Sequence, residues 1–184
     1  MKEKLEIGTN KNKKMPGVFI GDPCYILPDD FYAKFWGEEH NYENGAFSKE
    51  GKPVMIVQGT AYGDGCYDGI VTEYPDDKGS AYSDGRMFAV DSGCLSVVNL
   101  EFADSEKIRE VKDNQSLGII IERPCVEMRL EEQGGTFDFN VLTDSDSGER
   151  KSICRAHIET DAYEEEEEYE EEDYDDEEYG DEEY

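Results

Sequence analysis

Short apolar runs separated by turn-forming residues recur along most of this chain and predict strands. Residues 54–57, Val-Met-Ile-Val, are continuously apolar and lie between Pro53 and Gly59, which is typical of a buried strand. Residues 126–131 instead alternate apolar and polar side chains, as in an antiparallel strand with one face in water. Patterns of these two kinds predict about eight strands between residues 18 and 158, the last of them forming a meander.

Two segments show helical spacing instead. An aromatic stripe at helical intervals follows Asp29-Asp30 and predicts a short amphipathic helix whose aromatic face packs on a sheet. Its members are Phe31, Tyr32, Phe35 and Trp36. Residues 104–115 predict a second short helix, capped by Asp104 or Ser105. The predicted fold class is therefore β-dominated α+β, an antiparallel sandwich or partly open barrel with one or two short helices.

Two copies of the sequence Gly-Asp-x-Cys-Tyr, at residues 21–25 and 63–67, lie between these predicted strands. Gly, Pro and Asp favour turns, and Pro23 stiffens the first copy. For the second copy we expect a hairpin that joins the strand at 54–57 to a partner strand at 70–74.

A Val-Asp-Ser-Gly element at residues 90–93 adds a third predicted turn or kink, between two strands. Together these elements define a candidate turn cluster. It consists of Asp22, Cys24, Tyr25, Asp64, Cys66, Tyr67 and Asp91. We expect Asp22, Asp64 and Asp91 to lie close together at one end of the domain.

The last 24 residues have a composition unlike the rest of the chain. Residues 161–184 hold only Asp, Glu, Tyr, one Ala and one Gly, with 17 acidic residues and no basic one. Charge repulsion at this density and the lack of apolar surface predict a disordered acidic tail. We therefore expect a flexible basic arm, or at best an edge strand, at residues 1–14, a single β-rich domain at 15–160 and a disordered tail at 161–184.

Charge excludes one class of function and suggests another. Of 47 acidic residues in the chain, 30 remain outside the tail against 18 basic residues, a net charge of −12. Direct nucleic-acid binding is therefore not expected. We expect the tail instead to bind a basic protein surface, or to compete with nucleic acid for that surface. The candidate partner-binding residues are the regularly spaced Tyr169, Tyr174, Tyr179 and Tyr184. A tail that only improves solubility is the alternative interpretation.

No apolar run reaches the roughly 20 residues of a membrane helix, so no membrane association is expected. The lysine-rich N-terminus lacks the apolar core of a signal peptide, and five cysteines without short paired spacing indicate reduced thiols. These features predict a cytoplasmic protein. The sequence does not predict the oligomeric state.

Enzymatic chemistry is the main alternative, because carboxylates precede thiols in the turn cluster. A metal site would draw on Asp64, Asp68 and Asp91, but His40 and His157 are isolated in the sequence and no Cys-x-x-Cys occurs. A thiol enzyme needs a cysteine with a histidine base, and no motif surrounds either histidine. We therefore expect no cofactor and no metal, and more readily a non-enzyme than a metal- or thiol-dependent enzyme.

The turn elements resemble those of a group of small uncharacterised bacterial and phage proteins. In that group a Gly-Asp-Pro-Cys-Tyr, a Tyr-Gly-Asp-Gly-x-Tyr and a Val-Asp-(Ala/Ser)-Gly element share one chain, as they do at residues 21–25, 62–67 and 90–93 here. The resemblance carries no established activity and implies a phage or bacterial setting. We expect an accessory or host-interaction protein of binding or regulatory type, with a structural or assembly component as a further alternative.

Overall fold

The computed structural model describes residues 2–10, 12–75 and 81–160. Within these residues eleven strands form two antiparallel sheets. The strands are β1 (Glu3–Gly8), β2 (Val18–Gly21), β3 (Gly45–Lys49), β4 (Lys52–Gly59), β5 (Gly65–Glu73), β6 (Tyr82–Val90), β7 (Cys94–Asn99), β8 (Gly118–Ile121), β9 (Glu127–Gln133), β10 (Thr136–Asp144) and β11 (Arg150–Glu159). The predicted acidic tail and its tyrosines lie outside the described residues.

The two sheets differ in size and do not close into a barrel. One has six strands in the order β1-β9-β10-β11-β5-β6, and the other has five in the order β3-β4-β7-β2-β8. Every strand pair is antiparallel. The predicted β-dominated class is confirmed, and of its two forms the structure adopts the open sandwich.

Two apolar clusters explain why the sheets stack. The larger joins side chains from facing strands of both sheets, such as Val97 of β7 and Phe139 of β10, and excludes water between them. The second lies on the other side of the five-stranded sheet, where Met55 and Val98 pack against residues of the helical segments, such as Phe35 and Trp36. The chain therefore has three layers, in which the five-stranded sheet is covered on both faces.

Two helical segments make up the covering layer. The aromatic stripe forms a single α-helical turn, α1 (Asp29–Phe31), that continues as a π-helix, Tyr32–Glu39. The second predicted helix is α2 (Ser105–Asp113), and Asp104 caps it by accepting hydrogen bonds from two backbone amides of its first turn. Short 3₁₀ turns occupy Pro23–Tyr25, Leu100–Phe102 and Gln115–Leu117. Across the described residues no helix has the length and hydropathy to span a membrane.

Of the two forms expected for the N-terminal segment, a flexible arm or an edge strand, residues 3–8 adopt the edge strand. Glu3–Gly8 forms the edge strand β1, which pairs with β9 from Glu3 opposite Glu132 to Gly8 opposite Glu127. Leu5 and Ile7 alternate with charged residues, and both pack against the core. Backbone pairing, the two apolar side chains and the Lys2–Glu131 ion pair together hold this lysine-rich segment on the sheet.

The expected hairpin between the strand at 54–57 and the strand at 70–74 is wrong. These residues belong to β4 and β5, which lie in different sheets: β4 pairs with β3 and β7, whereas β5 pairs with β6 and β11. Residues 60–64 are thus a crossover between the sheets. Both faces of β4 are buried, so it belongs in the doubly covered sheet, and β5 alternates buried and exposed residues.

Candidate functional site

Three connections meet at one end of the sandwich, which we call the crossover end. They are the turn after β2 that begins at Asp22, the 60–64 connection from β4 to β5, and the 91–93 connection from β6 to β7. The last two both cross from one sheet to the other. Without further contacts, each crossover would leave backbone groups of the sandwich edge unpaired.

The Asp22 side chain supplies those contacts. It is completely buried, and its two carboxylate oxygens accept four hydrogen bonds. Oδ1 accepts from the Cys24 amide at 2.9 Å and the Ser92 hydroxyl at 2.6 Å, and Oδ2 accepts from the amides of Asp91 and Ser92 at 2.8 and 2.6 Å. A carboxylate offers about four lone-pair positions, so Asp22 has none left for a metal or a substrate.

The first copy of the repeated motif is bound to the third turn by a second contact. The Tyr25 hydroxyl donates to Oδ2 of Asp91 at 2.6 Å, and burial, reinforced by this bond, raises the pKa of Tyr25 well above its ordinary value. The Asp22 and Tyr25 contacts join residues nearly 70 positions apart. They fix where the chain leaves β6 and enters β7.

The second copy of the motif is held in a different way. Its Tyr67 is buried, and the Tyr67 hydroxyl donates to the Gly63 carbonyl at 2.7 Å, within the same connection. The Thr60 amide donates to the Gly93 carbonyl at 2.9 Å and so ties the two crossovers together. Gly93 has φ of +75° and approaches Gly63, a backbone conformation that a side chain would strain.

The structure therefore brings Asp22 and Asp91 into direct contact and places Asp64 beside them. A Cβ atom added to Gly93 would lie 3.9 Å from Oδ1 of Asp64. The carboxylates of Asp22 and Asp64 are also both close enough to the Cys94 thiol to affect its pKa. Burial first, then these two carboxylates, raise the pKa of Cys94 to about 11. Asp64 and Asp91 are exposed, and so is Asp68 further along β5.

The cysteines of the cluster are not arranged for nucleophilic chemistry. All five cysteines are free thiols. Burial, with the neighbouring Asp22 next in effect, raises the pKa of Cys24, so its thiol stays protonated at neutral pH. Cys66 is exposed on β5 opposite Ala89.

The histidines lie elsewhere. His40 packs between the rings of Phe35 and Phe47, with ring centroids 4.8 and 4.3 Å away. His157 lies on the outer face of the six-stranded sheet, where its Nδ1 is 2.6 Å from Oδ1 of Asp138. Neither imidazole joins the crossover end, and no group of three His, Cys, Asp or Glu side chains suited to a metal occurs among residues 2–10, 12–75 and 81–160.

An open cleft of about 310 Å³ lies at the crossover end. It is lined by Cys24, Asp29, Tyr32, Asp91 and Ser92. Lys107 already pairs with Asp29 at 2.6 Å and also donates to the carbonyls of Cys24 and Leu27, which anchors α2 to this segment. Burial raises the pKa of Tyr32 to about 12. The cleft is shallow, and of its two carboxylates Asp29 is already paired with Lys107 and Asp91 accepts from Tyr25.

The acidic tail starts from this same end. Ile158 of β11 pairs with Gly69 of β5, so the end of β11 and the start of β5 lie at one edge of the sheet. Thr160 is buried, and its amide and hydroxyl donate to the Gly135 carbonyl at 2.6 and 2.7 Å. The point from which residues 161–184 depart is therefore fixed beside the crossover end.

Sequence reasoning missed two members of the cluster. Ser92 contributes two of the four donors to Asp22, and Thr60 joins the crossovers. The Asp-Ser-Gly element contained the signal for Ser92, but local sequence does not reveal a partner 70 residues away.

The chain matches no protein-family model, no curated protein and no solved structure. The functional proposal therefore depends on the fold, charge and hydrogen bonding of this chain alone.

Proposed function

We propose that this chain is a non-enzymatic binding or regulatory protein whose acidic tail engages a basic protein surface, or competes with nucleic acid for it. The setting proposed is the cytoplasm of a bacterium, as for a bacterial or phage accessory protein, which the resemblance of the turn elements implies. The five free thiols suit a reducing compartment.

The observation that carries this proposal is the placement of charge. Exposed Asp64, Asp68 and Asp91 lie at or near the end from which the 17 acidic residues of the tail depart. None of the three forms an ion pair with a basic side chain within the described parts of the chain. The exposed carboxylates of the body therefore lie near the residue after which the acidic tail begins, and together they attract a basic partner to this end.

The chemistry of the cluster supports binding over catalysis. Asp22 has its acceptor sites filled, and the raised pKa of Cys24 keeps that thiol in its unreactive form. The cluster also holds neither histidine, so a thiol–imidazole pair does not form there: His40 packs against Phe47 and His157 lies beside Asp138. The hydrogen bonds of the cluster therefore support the conformation of the three connections and do not activate a nucleophile.

The test compares the full chain with a chain that ends at Thr160. A fluorescent peptide rich in Lys and Arg serves as the first probe, followed by basic proteins captured from bacterial lysate and then purified. We expect truncation to weaken binding at least about tenfold at low salt, and salt to weaken binding of the full chain steeply, because the charges are screened within about 8 Å at physiological ionic strength. Equal affinity of the two chains for the captured proteins would reject the proposal.

A matched pair of variants tests whether the body contributes charge at this end. Asp64→Asn with Asp68→Asn removes two exposed carboxylates there, and Asp146→Asn with Glu149→Gln removes two from the exposed turn between β10 and β11 at the opposite end. We expect the first pair to weaken binding by a factor of roughly two to five and the second to have a smaller effect. Equal effects would mean that only net charge matters, and the proposed role of the crossover end would fall.

A further inference from the structure

A lysine-lined groove lies at the opposite end of the sandwich. It holds about 260 Å³, and its rim carries Lys13, Lys14 and Lys52 over a floor that includes buried Met15 and Pro53. Lys52 pairs with Glu101 at 2.5 Å. Lys13 and Lys14 are exposed and have no carboxylate partner among the described residues. In a chain of net charge −29, two adjacent unpaired lysines beside an apolar floor are a distinct local surface.

The size and chemistry of this groove fit a side chain better than a small molecule. Sites for small molecules usually exceed about 300 Å³, which the groove does not reach. An apolar floor with an ammonium rim suits an aromatic ring flanked by carboxylates, since a lysine interacts favourably with both. The tail repeats that combination at Tyr169, Tyr174, Tyr179 and Tyr184, each with an acidic neighbour.

We propose that the tyrosine-containing acidic tail, residues 161–184, docks into the groove lined by Lys13, Lys14 and Lys52 of its own chain. The length of the tail permits this. The groove and the crossover end are separated by about the length of β4, whose eight residues span about 26 Å at roughly 3.3 Å per residue. A tail of 24 residues reaches about 80 Å when extended, so a middle or final tyrosine can enter the groove.

Docking within one chain is favoured over docking between two copies. Two molecules that each carry a net charge of −29 repel one another when they associate. A tethered segment has an effective concentration in the millimolar range, and its repulsion from the acidic body of its own chain is present whether or not it docks. The groove thus competes with an outside basic partner for the tail. This regulatory consequence rests on the proposed function, whereas the docking itself does not.

Zero-length carbodiimide cross-linking of the full chain tests the docking directly, since it joins lysine amines to carboxylates in contact. The monomer is isolated by size exclusion, digested and mapped by mass spectrometry. We expect Lys13, Lys14 and Lys52 to cross-link to tail carboxylates more than Lys2 and Lys4 do, although Lys2 and Lys4 lie on β1 or beside it and nearer the start of the tail. The Lys52–Glu101 pair provides an internal standard.

Two variants make the test quantitative. In Lys13→Gln with Lys14→Gln, the cross-link from Lys52 to the tail should fall roughly five- to twentyfold relative to the Lys52–Glu101 standard, since each exposed charge contributes a factor of roughly two to five. Lys2→Gln with Lys4→Gln is the matched control and should leave the ratio unchanged. Even cross-linking over all exposed lysines, an unchanged ratio in the first variant, or tail cross-links confined to dimers would overturn the proposal.

A final measurement separates this inference from the proposed function. The Lys13→Gln, Lys14→Gln variant should bind the Lys- and Arg-rich peptide more tightly than the natural chain, and more tightly than the Lys2→Gln, Lys4→Gln variant, which changes the net charge equally. If the natural chain and the chain ending at Thr160 bind this peptide equally well while the cross-links persist, the proposed function fails and the docking stands. If truncation weakens binding but the groove variant does not strengthen it, the function stands and the regulation by docking is wrong.

Discussion

The two copies of Gly-Asp-x-Cys-Tyr share a sequence but have opposite environments. In the first copy Asp22 is fully buried with four hydrogen bonds, Cys24 is half-buried and the Tyr25 hydroxyl reaches another segment. In the second copy Asp64 and Cys66 are exposed, and Tyr67 is the buried residue, with its hydroxyl bonded inside its own connection. The same motif thus forms a long-range contact in one place and a local turn in the other.

The difference comes from what surrounds each copy rather than from the motif. The first follows β2, an inner strand of the doubly covered sheet, where an unpaired carboxylate would be costly and must find donors. Three backbone amides and one hydroxyl supply them. The second copy leads into β5, next to the edge strand of a sheet with one face in water, where Asp64 is solvated and needs no partner. Burial decides which aspartate is structural.

The largest expected effect is a difference in stability between the two aspartates. Asp22→Ala should lower the free energy of unfolding by at least about 3 kcal/mol, because it leaves several buried donors without an acceptor. Asp64→Ala is the matched control and should change it by less than about 0.5 kcal/mol. Urea unfolding measures both, and equal losses would contradict the distinction drawn between the two copies.

For the tyrosines we expect a smaller loss in the free energy of unfolding, with the larger loss in the second copy of the motif. Tyr67→Phe removes a buried hydroxyl that donates to Gly63, and we expect it to cost about 1 to 2 kcal/mol. Tyr25→Phe removes a hydroxyl bonded to the exposed Asp91, and we expect about 0.5 to 1 kcal/mol. Chemical denaturation of the two variants side by side checks the order, which a larger loss in Tyr25→Phe would invalidate.

The cysteines should differ in reactivity with little effect on stability. Cys66 is exposed, whereas burial raises the pKa of Cys24 and raises that of Cys94 to about 11. Since the thiolate reacts and its fraction falls tenfold per pKa unit, Cys66 should be alkylated at pH 8 at least about tenfold faster than Cys24 or Cys94. The rate for Cys94 should rise as the pH approaches 11. Mass spectrometry of iodoacetamide-labelled peptides tests this, and modification of Cys24 before Cys66 would contradict it.

Local periodicity predicted much of the secondary structure because it depends on neighbouring residues. The cap at Asp104, the aromatic stripe and the alternating strands of the meander were all visible in the sequence. Sheet membership was not visible, because β4 and β5 are adjacent in sequence and lie in different sheets. The π-helical form of Tyr32–Glu39 was also not predicted.

In the candidate site, too, local features were predictable from the sequence and long-range contacts were not. The turn residues themselves are readable from Gly, Asp and Pro, but the donors to Asp22 come from residues 91 and 92, about 70 positions away. Such a contact depends on the order of strands in two sheets. The charge of the tail, by contrast, is fully readable from composition, and the fold adds only the end from which it departs.

The central structural claim is that one buried carboxylate holds the crossover end together, and amide hydrogen exchange tests it most directly. The amides of Cys24, Asp91 and Ser92 all donate to Asp22, so they should exchange slowly in the native chain. In Asp22→Ala their protection should fall together, whereas in Asp64→Ala it should not change. Rapid exchange of these three amides in the unaltered protein would contradict the account.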